Sequence, residues 1–265
     1  GRASDDLSNE HIIDNKHVNL YPFFAKHKST LSRKYLENIR DEDYSALSII
    51  LNDIGKSRRM VSLAFEKLPK HVTIGLSPYV RNHNDVANKF HKNGFEVWMD
   101  IASLTLAIHS DKGDSALNPT NNFEWNIKAL SQQLKNKDKL AGLILPPQSL
   151  IIQTSDLWRD LTYDLFADGY GILDNTSDII KPTFFFHEDL PAPYIKGDVV
   201  IGRDYTITDI KDTLETIKIK LLRGENMIVT IPASTPTTLD ILSQWLDSIE
   251  NDNITLVPLS AQAKL

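Results

Sequence analysis

From Ala46 almost to the C-terminus, short apolar and β-branched runs alternate with stretches of helical spacing, and this alternation restricts the chain to one kind of sheet. Strands joined by helical crossovers run parallel, and parallel strands need cover on both faces. The predicted strands are residues 46–51, 72–76, 95–99, 141–145, 171–173, 183–186, 199–201, 227–231 and 254–257. Between them, Ile207, Ile210, Leu214, Ile217 and Leu221 fall on one helical face that ends at Gly224, a residue suited to a C-terminal cap. Leu239, Leu242, Trp245, Leu246 and Ile249 repeat the pattern after Pro236, which fits a first helical turn. Trp125, Trp158 and Trp245 lie on such segments and Trp98 on a strand, so all four read as core side chains.

The 265 residues, 41% of them hydrophobic, suffice for one sizeable core, and the predicted organisation is an N-terminal arm or linker over residues 1–44 followed by one α/β domain over residues 45–265. The arm is polar, with an aromatic cluster at Tyr21, Phe23 and Phe24 and a basic stretch at residues 26–34. With 29 basic and 35 acidic residues the net charge is −6, which argues against a nucleic-acid partner. No apolar run approaches the roughly 18–20 residues that span a bilayer, so no transmembrane segment is expected, and no signal segment opens the chain. The absence of cysteine excludes disulfides, thiol nucleophiles and thiolate zinc sites, and fits either side of a membrane.

Residues 103–122 and 187–197 break the rhythm and read as long loops, the second because of Pro191 and Pro193. Loops at the carboxyl ends of parallel strands commonly shape a binding cleft. The sharpest local feature is Leu-Asn-Asp-Ile-Gly at residues 51–55, closing the first strand. Read without ancestry, it is a strand-to-helix turn in which Asn52 or Asp53 caps the next helix and Gly55 permits the bend, while Asp100 and Asp174 satisfy loop amides.

Other chemical signals are weak. His83 and His91 are too far apart to share an ion, His109 lies in a polar loop, and the adjacent His187, Glu188 and Asp189 seldom could point at one centre. Gly-Leu-Ser-Pro-Tyr at residues 75–79 lacks the second glycine of a nucleophile elbow, which makes Ser77 a poor nucleophile. Gly-Tyr-Gly at residues 169–171 precedes a strand where a dinucleotide fingerprint follows one. Lys56, Arg58 and Arg59 form a short basic run that faces solvent, an anionic glycan or a protein partner.

In order, LNDIG, VTIGLSP, HKNGFEVWMD, AGLILPPQS, GYGILDN and MIVTIPAS resemble the divergent polysaccharide deacetylase family over about residues 44–259. The resemblance implies a distorted (β/α) barrel of about seven parallel strands, related to esterases that remove acetyl groups from N-acetylated sugars. It also implies which positions held the chemistry. Asn52 stands where the family has an aspartate base, and Asp53 where it has a metal-binding aspartate. Asp100 replaces a histidine ligand, Pro146 a second one, and Ile231 a late active-site histidine, where it would line the pocket with hydrocarbon; Asp174 survives as a polar position.

An amide cannot take a proton from water near neutral pH, and a catalytic zinc ordinarily needs three imidazole or carboxylate ligands. The expectation is therefore a catalytically degenerate member: no cofactor, its ancestral divalent metal, zinc, lost, with Asp53 and Asp100 the remaining weak metal candidates. The expected cleft is Asn52, Asp53, Asp100, Ser149 and Asp174, engaging a glycan or a peptidoglycan-related protein in the periplasm or outside the cell. The alternatives are an active hydrolase on N-acetylated polysaccharide with a rebuilt site, using Asp174 as base, and a structural adaptor with a vestigial cleft.

Overall fold

The computed structural model describes residues 44–106, 113–176 and 194–263. The predicted strand at residues 183–186, the cluster at His187, Glu188 and Asp189, His109 and the N-terminal arm lie outside the described residues. Among the described residues nine strands, all paired in parallel, alternate with six α-helices: β1 (Ser45–Ile54), α1 (Arg58–Lys67), β2 (Thr73–Leu76), α2 (His83–Lys92), β3 (Val97–Asp100), α3 (Phe123–Leu134), β4 (Gly142–Leu145), α4 (Ser155–Ala167), β5 (Gly171–Asp174), β6 (Tyr194–Lys196), β7 (Val199–Val200), α5 (Ile207–Leu222), β8 (Met227–Pro232), α6 (Pro236–Ser248) and β9 (Ile254–Leu256). Short 3-10 turns at Leu150–Gln153 and Leu259–Gln262 complete the set.

The strand order is β6-β5-β4-β3-β2-β1-β8-β7, with β9 beside the start of β1. Its two ends, β6 and β7, are separated only by Gly197 and Asp198, so one extended segment serves both edges. The Gly197 N–H donates to the Asp174 carbonyl of β5 at 2.9 Å, and the Asp198 N–H donates to the Ile228 carbonyl of β8 at 2.9 Å. The Asp198 carboxylate then accepts from the Ile228 N–H at 2.7 Å. The path of pairing thus returns on itself, and with β6 and β7 counted together the eight strands of that path make a distorted barrel of seven staves.

Residues 194–196, expected within a loop, are strand β6. Three residues between Pro193 and Gly197, with only Ile195 buried, make no apolar run to read, and their pairing comes wholly from the neighbouring β5. The other predicted strands that lie within the described residues appear with ends shifted by a few positions.

Alternation along each strand sorts side chains into two cores. Ile50, Trp98, Ile144, Leu173, Ile195 and Ile228 fill the barrel interior, while Leu47, Ile49, Leu51, Ile74, Met99, Ile172 and Val229 face the helices. Trp98 occupies the interior at Gly142, where a Cβ would strike the indole and the Gly171 carbonyl, so only glycine fits. Trp158 and Trp245 are buried as expected, but Trp125 is 38% exposed and Ile207, at the first position of α5, is 53% exposed. Ile207 directly follows Thr206, whose capping box with Asp209 fixes the helix start irrespective of the apolar stripe.

The turn Leu259–Gln262 plugs the amino-terminal end of the barrel. Glu96 accepts hydrogen bonds there from the Ser260 N–H at 3.0 Å, the Ser260 hydroxyl and the Trp98 indole N–H at 2.7 Å. The Leu259 N–H donates to Thr73 Oγ1 at 2.9 Å. Burial pushes the Glu96 carboxyl above its ordinary value of 4.5 against the pull of these donors. The folded state therefore holds that proton more tightly than the unfolded chain, and the contribution of Glu96 to stability declines as pH rises from 4.5 through the folded value. Urea midpoints measured between about pH 4 and 8 are expected to show a shallower decline in Glu96→Gln than in the wild type.

Candidate functional site

With one end plugged, the barrel presents a mouth formed by the carboxyl ends of its strands. Four polar side chains continue the inward-facing rows: Asn52 after Ile50, Asp100 after Trp98, Asn175 after Leu173 and Thr230 after Ile228. Contacts agree with this assignment. A Cβ at Gly75 would lie 3.0 Å from Asn52 Cβ and 2.8 Å from the interior Ile144 Cδ1. Asn175 Nδ2 donates to Thr230 Oγ1 at 3.0 Å, spanning β5 and β8 across the shared β6–β7 segment.

The end of β1 is irregular for a readable reason. Leu51 pairs with Ile74 and Ile54 with Leu76, so three steps on β1 oppose two on β2, which is a β-bulge at Asn52 and Asp53. Asp53 takes φ +54°, a left-handed conformation that Asp and Asn tolerate better than other side chains. Its carboxylate is held by Lys56 at 3.0 Å and by Arg203 from the loop after β7. Neither Asn52 nor Asp53 caps α1, as a plain turn predicts: Ser57 does so, accepting from the Met60 N–H at 3.3 Å. Gly55 supplies the expected bend at φ +110°.

The expected cleft residues separate. Asn52 and Asp100 reach the mouth, and Asp53 sits on its rim in two ion pairs. Asp174 does not join them, because it falls one step out of phase with Leu173 and turns to the outer side. Its Oδ1 accepts from the Thr176 N–H at 2.8 Å and the Thr176 hydroxyl at 2.6 Å; its Oδ2 accepts from the Tyr194 hydroxyl at 2.9 Å, and Lys196 lies 3.4 Å away. The Trp158 indole N–H donates in turn to Tyr194 at 3.0 Å. Burial, with the neighbouring Asp174 carboxylate, pushes the Tyr194 phenol well above its ordinary value.

Ile231 is likewise outside: it belongs to the core between sheet and helices, so it does not line the pocket with hydrocarbon. Ser149 is fully buried, bonded to Ser103 and thereby tying the loops after β3 and β4 together. Pro146 follows β4 directly and brings no side-chain donor. Ser77 is buried in the turn after β2, where its Oγ accepts from the Tyr79 N–H at 3.4 Å. His83 is a core histidine whose pKa burial lowers to about 4.

These residues do not fit a catalytic zinc ion. Among the described residues no three His, Asp or Glu side chains gather. The described residues of the mouth offer two amides, a hydroxyl and the Asp100 carboxylate, while two cations already hold Asp53, against the three imidazole or carboxylate ligands such an ion takes.

Sequence reading missed Asn175, Thr230 and Arg203. Asn175 stands beside the chosen Asp174, and only the phase of Leu173, which needs the fold to set it, distinguishes the two. Asp174→Ala is expected to lower stability by about 2–3 kcal/mol in urea unfolding, since it leaves the buried Tyr194 hydroxyl without its acceptor while Lys196 keeps Thr176; a loss below about 1 kcal/mol would show the network to be incidental.

The divergent polysaccharide deacetylase profile matches residues 49–263. In structure the chain is similar to an uncharacterized protein of Agrobacterium tumefaciens C58, with a TM-score of 0.72 and 19% identity over 82% of this chain and 89% of that one. It is also similar to Bacillus subtilis PdaA, a family 4 carbohydrate esterase, with a TM-score of 0.43 and 11% identity over 85% of this chain and 87% of that one. No curated protein sequence matches. The Agrobacterium likeness speaks for the fold, and the profile for ancestry. Because the matched span takes in every strand from the middle of β1 onward, the chain belongs to the divergent polysaccharide deacetylase family.

Proposed function

We propose that this protein binds a glycan of the bacterial cell envelope at its barrel mouth without deacetylating it, acting outside the cytoplasm and needing no metal. The observation that carries the reading is the chemistry of the inward-facing ring. Asn52 occupies the position of the proton acceptor, and an amide has no basicity to activate water. Asp53 is neutralised by Lys56 and Arg203. Among the described residues the buried Oδ1 atoms of Asn52 and Asn175 accept no hydrogen bond. A buried acceptor left in that state costs about 1–3 kcal/mol, so each favours a ligand that donates N–H or O–H groups, as acetamido sugars do.

A rebuilt hydrolase fits less well, because its candidate base, Asp174, is spent on Thr176, Tyr194 and Lys196 outside the barrel. A protein of peptidoglycan metabolism is the other partner consistent with a binding role. The test combines metal analysis with acetate release from chitooligosaccharides and peptidoglycan. Wild type is expected to hold no stoichiometric metal and to release no acetate, and Asn52→Asp is expected to stay inactive because a base alone restores no ligand set. Chitooligosaccharide binding is expected to weaken by about tenfold in Asn52→Leu, the equivalent of one lost hydrogen bond to a buried group. Acetate release that disappears in Asp53→Ala would overturn the proposal.

A further inference from the structure

The basic run at Lys56, Arg58 and Arg59 has no part in the mouth, yet the fold sets two of its members beside cations from another element. A groove of about 870 Å³ runs between α1 and α2, lined by Lys56, Arg58, Arg81 and Lys89 against a single acid, Asp85. All four cations are exposed. Lys56 is shared with Asp53, whereas Arg58, Arg81 and Lys89 form no ion pair among the described residues. In a chain of net charge −6, three uncompensated cations around one groove are not a consequence of composition.

The rest of the lining narrows the ligand. Tyr79 is half exposed, with Lys56 Nζ 5.9 Å from the ring centroid, and is an aromatic residue of the kind that stacks on a sugar ring. Ser62, Asn82 and Asp85 supply donors and acceptors that match hydroxyl groups. Asp85 opposes the acid groups of a peptide and of a glycan alike, but it also accepts hydrogen bonds from hydroxyl groups, which a glycan carries on every ring and an acidic peptide lacks. The apolar floor is limited to Val61, Phe65, Val80 and Val86, too short for an amphipathic helix laid along it. Gly55 and Lys56 line the groove and follow Asp53, on the rim of the mouth, after one intervening residue, and Lys56 itself pairs with Asp53, so groove and mouth share an edge.

We infer that this groove holds a carboxylate-bearing stretch of glycan, with Arg58, Arg81 and Lys89 pairing its acid groups and Tyr79 supporting a ring. The inference extends the reading of the mouth as a glycan site and rests on it. Calorimetric titration of the whole chain with oligogalacturonate and with neutral chitohexaose separates the two. Arg81→Glu combined with Lys89→Glu is expected to weaken oligogalacturonate binding by more than about tenfold while leaving chitohexaose binding unchanged, and raising the salt from about 50 to 300 mM is expected to weaken the wild-type oligogalacturonate affinity. Asn52→Leu is expected to do the reverse, lowering chitohexaose affinity while oligogalacturonate binding keeps its dependence on Arg81 and Lys89. Oligogalacturonate affinity that is absent in the wild type or unchanged in the double variant would overturn the groove assignment. So would a poly-glutamate peptide of equal charge that binds as tightly and is lost in the same variant, because it would make the groove a peptide site. Chitohexaose binding indifferent to Asn52 would instead remove the reading of the mouth.

Discussion

The segment that runs from β6 into β7 is the constraint on which the rest depends. By pairing first with β5 and then with β8 it converts a row of parallel strands into a ring, and a ring has an inside. The two neighbouring strands share no direct ladder there, so the backbone bonds of Gly197 and Asp198, and the Asp198 carboxylate on Ile228, bridge the seam. Asn175 and Thr230 reinforce it from within. Gly197 leaves room at this point for the Asn175 amide, whose Oδ1 a Cβ would displace.

Closure settles where polarity goes. The amino-terminal end is sealed by the Leu259–Gln262 turn, with Glu96 and Thr73 satisfying its backbone, which leaves the carboxyl end as the opening. At that opening the bulge in β1 changes the pattern of the strand and sets Asp53 in a left-handed conformation. Such strain persists where surrounding contacts over-determine it, and here Lys56 and Arg203 do so. The carboxylate that ancestry assigns to an ion is thus compensated by two side chains. The strained backbone also serves the joint between β1, β2 and β8, where the Ala233 N–H donates to the Asn52 carbonyl at 2.9 Å.

Much of the fold was legible in the sequence because the relevant signals are local. Runs such as residues 46–51 and 227–231 are apolar over their whole length, so strands buried on both faces announce themselves. Gly224 and Pro236 mark helix ends by backbone chemistry alone, and both stand where expected. The failures share another cause. Residues 194–196 have no run of their own and become a strand only because β5 offers an edge. Trp125 sits on a helix as expected but on its outward side, since its helical position does not reveal how far the neighbouring cover extends. The mouth positions were legible at Asn52 and Asp100, polar residues that follow apolar runs near the ends of their strands, and illegible at Asn175, where a one-residue step in phase exchanges the outer network for the mouth.

By itself the sequence determined that the chain folds as parallel strands wrapped by helices, that its motifs resemble those of the divergent polysaccharide deacetylases, and that an amide, Asn52, stands beside an acid, Asp53, near the end of β1. These follow from residue type and spacing, which act over a few bonds. Tertiary structure decided which carboxylates face inward, that Arg203 neutralises Asp53 from far along the chain, and that Arg81 and Lys89 stand across a groove from Arg58. Charges separated by many residues interact only through space, and the distances between them are set when the ring closes.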